Sequence, residues 1–250
     1  MNIEHVIISF LAGFGSGFVG AATGGAGLIS IPALIFLGLS PASAIATNAF
    51  GSFGMVTAAV PEYARAKQLR IKPVLKLIPL AIAGGFIGSK LLVHARIDDS
   101  AFSIAIGVIM LILIPVILSD RRRGLKSFHV GEERMLIGSL VYFVVSVYAG
   151  FFGAGAGIFS TYSLTYFFGM TYIEAKGSNF VPSLFTFATV LVIFLSHHLV
   201  NFSLGIPMII GMYLGGLVGA QTAIKNGNRW VRGIFLAVIL LTGLKLVFFP

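Results

Sequence analysis

The chain has 250 residues, of which 57% are hydrophobic and only 10% charged, with a mean hydropathy of +1.00. A soluble domain carries about a quarter charged residues, so this composition excludes an ordinary soluble fold and points to an all-α polytopic membrane protein. The formal net charge of +9 would suggest nucleic acid on a soluble chain, but its distribution argues otherwise. Cysteine is absent. That removes disulfides, thiolate metal sites and thiol nucleophiles. Residues 1–5 lack a basic n-region, and no clear cleavage site follows, so no signal peptide is expected.

Apolar segments are expected at 5–22, 28–39, 43–61, 73–94, 101–119, 135–153, 157–169, 177–196, 203–224 and 231–249. A spanning helix needs about 20 residues, at about 1.5 Å each. Segments 28–39 and 157–169 fall short of that. Each follows a glycine-rich break, Gly24-Gly25-Ala26-Gly27 and Gly153-Ala154-Gly155-Ala156-Gly157. Glycine lets backbone turn sharply or approach closely, so each break predicts a re-entrant or broken hairpin.

The basic residues set the orientation. Thirteen of the 17 Lys and Arg lie in three clusters. These are Arg65, Lys67, Arg70, Lys72 and Lys76; Arg121, Arg122, Arg123, Lys126 and Arg134; and Lys225, Arg229 and Arg232. The positive-inside rule places them in the cytoplasm. The connections at 95–100 and 197–202 then lie outside, as do both termini.

The halves match. At one fixed offset, Gly38 pairs with Gly169, Thr47-Asn48 with Ser178-Asn179, and Ser52 with Ser183. The same offset pairs Gly84-Gly85-Phe86-Ile87-Gly88 with Gly215-Gly216-Leu217-Val218-Gly219. Near the breaks the offset is shorter by one position, pairing Gly25-Ala26-Gly27 with Gly155-Ala156-Gly157 and Ser30 with Ser160. The basic loop 62–72 corresponds to the charge-free loop 197–202, so equivalent loops fall on opposite sides. This predicts two inverted-topology repeats of five segments, 1–119 and 135–250, joined by a basic cytoplasmic linker, 120–134. Secondary transporters are built this way, with the site near the midplane.

Re-entrant backbone is tolerated at membrane depth only where protein or a water-filled cavity covers it. Two helix starts aimed at one place offer free N–H donors and positive dipole ends, which suit an anion. The candidate binding residues are therefore Gly24, Gly25, Ala26 and Gly27, and Gly153, Gly155, Ala156 and Gly157. Free carbonyls of the preceding arms would suit a cation instead, and plain helix packing would also use such glycines. Asn48 and Asn179 lie about two turns into their segments. Each has a hydroxyl before it, Thr47 or Ser178, and one on the same face four residues on, Ser52 or Ser183. A buried amide must be partnered; it either bonds a neighbouring helix or donates to an oxyanion without adding charge. Thr23, Tyr148 and Lys176 are candidate gate or mouth residues, and Glu174 is placed to pair with Lys176. Lys90 and Lys245 can snorkel to the interface. Enzyme motifs are missing, and nothing calls for a cofactor or metal. The Gly-x-Gly-x-x-Gly of Gly15–Gly20 lies in an apolar helix and reads as a packing face.

Gly17-Phe18-Val19-Gly20, Gly24-Gly25-Ala26-Gly27, Pro32 and Ala46-Thr47-Asn48 resemble the TauE/SafE sulfite-exporter family. Gly150-Phe151-Phe152-Gly153-Ala154-Gly155-Ala156-Gly157 and Lys176-Gly177-Ser178-Asn179 repeat the pattern. Pro32 is matched by Tyr162, and the breaks differ in length, so the half-sites are not expected to be identical. The resemblance covers the whole chain. It implies export of sulfite or a small organosulfonate such as sulfoacetate across a bacterial inner membrane, with the anion and the bilayer as partners and no nucleic acid. Competing classes are an anion channel and a non-transporting membrane scaffold. The Gly-Gly-x-x-Gly faces suit packing within one chain or within a homo-oligomer.

The chain is naturally free of cysteine, which makes the orientation easy to check. A cysteine placed at Asn201 should be labelled by an impermeant maleimide in intact cells, and one at Lys126 should be protected. Labelling of both from outside would overturn the assigned sidedness.

Overall fold

The computed structural model describes residues 3–95, 124 and 127–248, with side chains to residue 227 and at Trp230. The expected segment 101–119 and residues 120–123, 125 and 126 of the linker lie outside the described residues. Everything described as regular structure is helical. The first half contains α1 (Ile3–Thr23), α2 (Gly27–Phe36), α3 (Pro41–Arg65), α4 (Ile71–Leu75) and α5 (Ile78–His94). The second contains α6 (Glu132–Phe151), α7 (Ala156–Phe168), α8 (Tyr172–Ser196) and α9 (Phe202–Phe248).

Five of these helices are long and apolar enough to cross a membrane, counting the Phe202–Gly227 arm of α9. Their outer faces carry large apolar side chains at helical spacing. Ile3, Ile7 and Leu11 line one such face, Leu136, Leu140 and Val144 another, and Ile206 and Ile210 a third; all are exposed. Water would not tolerate so much contiguous apolar surface. A bilayer covers it. The chain is a multi-pass membrane protein.

The short segments are short in three dimensions. Helix α2 has 10 residues, about 15 Å of rise, against a hydrocarbon core of about 30 Å. Helix α7 has 13 residues, about 20 Å. The arm before each is longer, 21 residues in α1 and 20 in α6. Each hairpin is therefore unequal. Helices α3 and α8 start with caps at matching positions of the two halves. The Ser40 side chain accepts from the Ser43 amide at the start of α3. Thr171 and Glu174 form a capping box at the start of α8.

One expected connection is shorter than the sequence suggests. The basic stretch 225–232 is a loop by its charge, yet helix continues through it and is broken only at Gly227 (φ 81°, ψ −178°). A glycine can hold that positive φ without a Cβ clash, so one residue serves where a loop is expected.

The halves exchange helices. Helix α1 of the first half lies along α9 of the second, and α5 lies along α6. Glycine makes both approaches close. A Cβ on Gly17 would strike the Met212 backbone, and one on Gly215 the Phe14 carbonyl. A Cβ on Gly84 would meet Ser146 and the Phe143 carbonyl, and one on Gly88 the Val147 carbonyl. Gly85 faces Thr186 of α8, and Gly216 faces Met55 of α3. The Gly-Gly-x-x-Gly faces thus pack within one chain. Two hydrogen bonds exchange in the same manner. The Asn201 amide donates to Thr47 Oγ1 at 3.0 Å, and the Arg70 amide donates to Ser178 Oγ at 2.8 Å. The two acceptors stand at matching positions of the two halves, and so do the two donors.

Gly15 has open space where a Cβ would go. Gly15→Ala should therefore leave the melting temperature in detergent unchanged or raise it, since helical Gly→Ala gains about 0.5–1 kcal/mol. Gly17→Ala and Gly88→Ala should each lower it, at a cost of about 1–3 kcal/mol for forced overpacking.

Candidate functional site

The two glycine breaks meet. After α1, Gly24 takes φ 97°. A Cβ there would strike Gly157 in the other break, and one on Gly157 would lie 2.7 Å from the Gly24 carbonyl oxygen. A Cβ on Gly27 would lie 2.9 Å from Ala154 Cα. The second break is one residue longer and uses two left-handed glycines, Gly153 (φ 70°) and Gly155 (φ 71°). Only glycine allows both the positive φ and the backbone-to-backbone approach. Tyr148 ties the second break down, its hydroxyl donating to the Ala154 carbonyl at 2.7 Å. Thr23 instead bonds within its own helix, to the Val19 carbonyl at 2.8 Å.

A cavity of about 50 Å³ opens at this crossing. Its wall includes Gly24, Ala26 and Gly27 from the first break and Gly153, Ala156 and Gly157 from the second. Helix α3 adds Asn48, Ser52 and Met55, at the i, i+4, i+7 spacing of one face. Helix α8 adds Lys176, Asn179, Phe180 and Ser183 from one face, and α6 adds Tyr142 and Ser146. Gly25, Gly155, Thr47 and Ser178 are not in the wall. The two hydroxyls are taken up by the loop amides of Asn201 and Arg70. They lock the ends of neighbouring helices rather than face the cavity.

Both asparagines are oriented from behind. Ser30 donates to Asn48 Oδ1 at 2.5 Å, and Tyr142 donates to Asn179 Oδ1 at 2.7 Å. With each carbonyl oxygen engaged, each NH2 group is left as the free end. Among the described residues neither amide nitrogen has a protein acceptor. A Cβ on Gly153 would lie 3.7 Å from Asn48 Nδ2, so that nitrogen sits beside the second break. Each asparagine thus combines an interhelical bond on one side with a donor on the other.

The backbone supplies more donors. No acceptor is found among the described residues for the amides of Gly25, Ala26, Gly27, Gly155 and Gly157. The Leu28 amide donates to the Gly25 carbonyl at 3.1 Å, and the Ile158 amide to the Gly155 carbonyl at 2.9 Å. A tight first turn claims those two. The expected ion pair between Glu174 and Lys176 is also absent. Glu174 Oε2 accepts from the Thr171 amide at 2.9 Å within the capping box. That bond holds the carboxylate at the helix start, away from Lys176.

Sequence reasoning missed Tyr142, Ser30 and Ser160 as site residues. Ser30 and Ser160 carried a usable signal, because they match at the repeat offset beside the breaks. Ser160 lines the cavity while bonding the Ala156 carbonyl at 3.0 Å. Tyr142 carried no signal: it lies in an apolar run, and only packing brings it to Asn179.

A helical bundle with a cavity where two broken helices begin has the architecture of a membrane transporter. The chain matches the family described as "Sulfite exporter TauE/SafE" over residues 9–246 and belongs to it. It is 27% identical to a "Probable membrane transporter protein" of Haemophilus influenzae, over 99% of this chain and 96% of that one. It is 25% identical to "Probable membrane transporter protein YfcA" of Escherichia coli K12, over 96% and 89%. A third relative, "Probable membrane transporter protein ORF9" of Sinorhizobium sp, is 27% identical over 96% and 92%. No solved structure matches. Family and relatives make the chain a membrane transporter.

Tyr142→Phe removes the hydroxyl that orients Asn179. It leaves a buried carbonyl oxygen without its donor, at a cost of about 1–3 kcal/mol. The variant should melt several degrees lower in detergent, whereas Tyr213→Phe on the exposed face of α9 should not.

Proposed function

We propose that the chain exports a small sulfur oxyanion, sulfite or a short organosulfonate such as sulfoacetate, across a bacterial inner membrane by alternating access. One observation carries this reading. The cavity wall is rich in free donors, namely the Asn48 and Asn179 amides and the backbone amides of Ala26, Gly27 and Gly157, and among the described residues it contains no carboxylate. Such a wall suits an ion whose surface is all acceptor oxygen. Two helix starts at one point are a recurring anion site. Size agrees for sulfite. A water needs about 10–15 Å³ by this measure, so about 50 Å³ holds roughly four water-sized groups, and sulfite has four heavy atoms; a longer sulfonate such as sulfoacetate requires the cavity to widen.

The two halves act as inverted repeats in this reading, and the exchange of α1 with α9 and of α5 with α6 supports it. Rocking of one half against the other about the glycine crossing would open the cavity to each side in turn. A small cavity bounded by both breaks suits the single site of a carrier better than the open path of a channel.

Purified protein in liposomes should release trapped sulfite or sulfoacetate, and both ions should raise its melting temperature. Asn48→Ala and Asn179→Ala should each weaken the ion by roughly tenfold or more, the effect of losing a hydrogen bond to a charged group. Unchanged affinity in both would remove the assignment.

A further inference from the structure

We infer that Lys176 couples the anion of this cavity to a proton, its amine taking one up as the anion arrives and releasing it as the anion leaves, an inference that rests on the anion reading above. Lys176 lies in the second turn of α8, belongs to the cavity wall and is 2% exposed. Its Nζ sits over the Phe180 ring, 4.2 Å from the centroid. Among the described residues that nitrogen has neither a hydrogen-bond acceptor nor a carboxylate within 4.0 Å, the ion pair found being Arg65–Glu62. The helices packed against this end of α8 carry Glu62, Tyr63 and Arg65 on α3, Lys72 on α4, Tyr142 on α6 and Tyr162 on α7. Lys225 of α9 is exposed. Glu4 and His5 begin α1, and Lys90 and His94 end α5, where His94 meets His197 at the opposite end of α8. The two acids closest in position are committed elsewhere. Glu174 closes the capping box, and Glu62 holds Arg65 and Gln221. Tyr63 donates to the Ala21 carbonyl at 2.9 Å.

A lone buried ammonium is costly, and a ring face offsets only part of that cost. An amine escapes the rest by giving up its proton. An anion alongside reverses the balance, because the ammonium then gains a counter-ion and a charge-assisted hydrogen bond. Anion and proton therefore enter the cavity together. Of the described wall residues only Tyr142 and Lys176 titrate, and Tyr142 is committed to Asn179 at 2.7 Å. The position matching Lys176 in the first half is Ile45, a buried apolar residue. One proton thus accompanies each anion, not two. The coupling also suits a doubly charged cargo. A dianion crosses with its proton as a net single negative charge, which an inside-negative potential drives outward, and the empty carrier returns with a neutral amine.

The test is calorimetry on the purified full chain with methanesulfonate, whose own charge is constant near neutral pH. Titrations in two buffers of different protonation enthalpy count the protons taken up per anion. The wild type should take up close to one at about pH 8.5, and its affinity should fall about tenfold per pH unit between about pH 8 and 9. Lys176→Met should bind with no proton uptake and no such pH dependence. Lys176→Arg, whose guanidinium never gives up its proton, should also bind without uptake. Binding by the wild type with no proton uptake overturns this inference and leaves the anion reading standing, as does uptake that persists in either variant. Should Lys176→Met not fold or not bind, the wild type and Lys176→Arg decide. If the wild type binds neither methanesulfonate nor sulfite, the anion reading itself fails, and this inference with it.

Discussion

The structure depends on one contact, the backbone-to-backbone crossing of two glycine breaks inside an apolar bundle. Gly24 and Gly157 approach so closely that neither has room for a Cβ. Backbone at that depth has no water to satisfy it, so it must be covered by protein or must line a cavity. The fold does both. Several carbonyls and amides of the breaks are paired locally, and unpaired amides gather at the small cavity. The helices around the crossing are held by the same device on a larger scale. Glycine faces on α1, α5, α6 and α9 let helices from opposite halves touch backbone to backbone.

The polar residues of the bundle divide into two groups by what their partners leave free. Thr47 and Ser178 are used up by loop amides, and so they fix where α3 and α8 end against the opposite half. Asn48 and Asn179, one residue further on, are held by one oxygen and keep two N–H donors. An asparagine in an apolar interior would otherwise be a liability. Here its cost is offset by an orienting hydroxyl from a neighbouring helix, and its remaining donors stand in a wall with no carboxylate among the described residues to take them.

Much of the fold was legible in the residues. The apolar blocks, the two short arms and the fixed offset between the halves all carry their meaning in spacing, which a linear chain displays directly. So did most of the cavity wall, because Asn48, Ser52, Asn179 and Ser183 are polar residues in apolar surroundings at helical spacing. Other parts were not legible. The 225–232 stretch looked like a loop, since charge says where water is but not whether one glycine can turn a helix. Glu174 looked like the partner of Lys176, since nearness in the chain suggests nearness in space. The capping box takes the carboxylate instead, because a helix start offers unsatisfied amides at that spot.

The sequence by itself determined the class, the segments, the duplicated glycine breaks and the family pattern. These follow from composition and periodicity, which depend only on which residue types recur and how far apart. Only the tertiary structure decided that the two breaks meet at a single point. It alone brought Tyr142 to Asn179 and Ser30 to Asn48, and it alone left Lys176 without a carboxylate partner among the described residues. Those outcomes depend on contacts between helices, many of them from opposite halves and far apart along the chain. No local pattern encodes them; close packing of glycine-faced helices does.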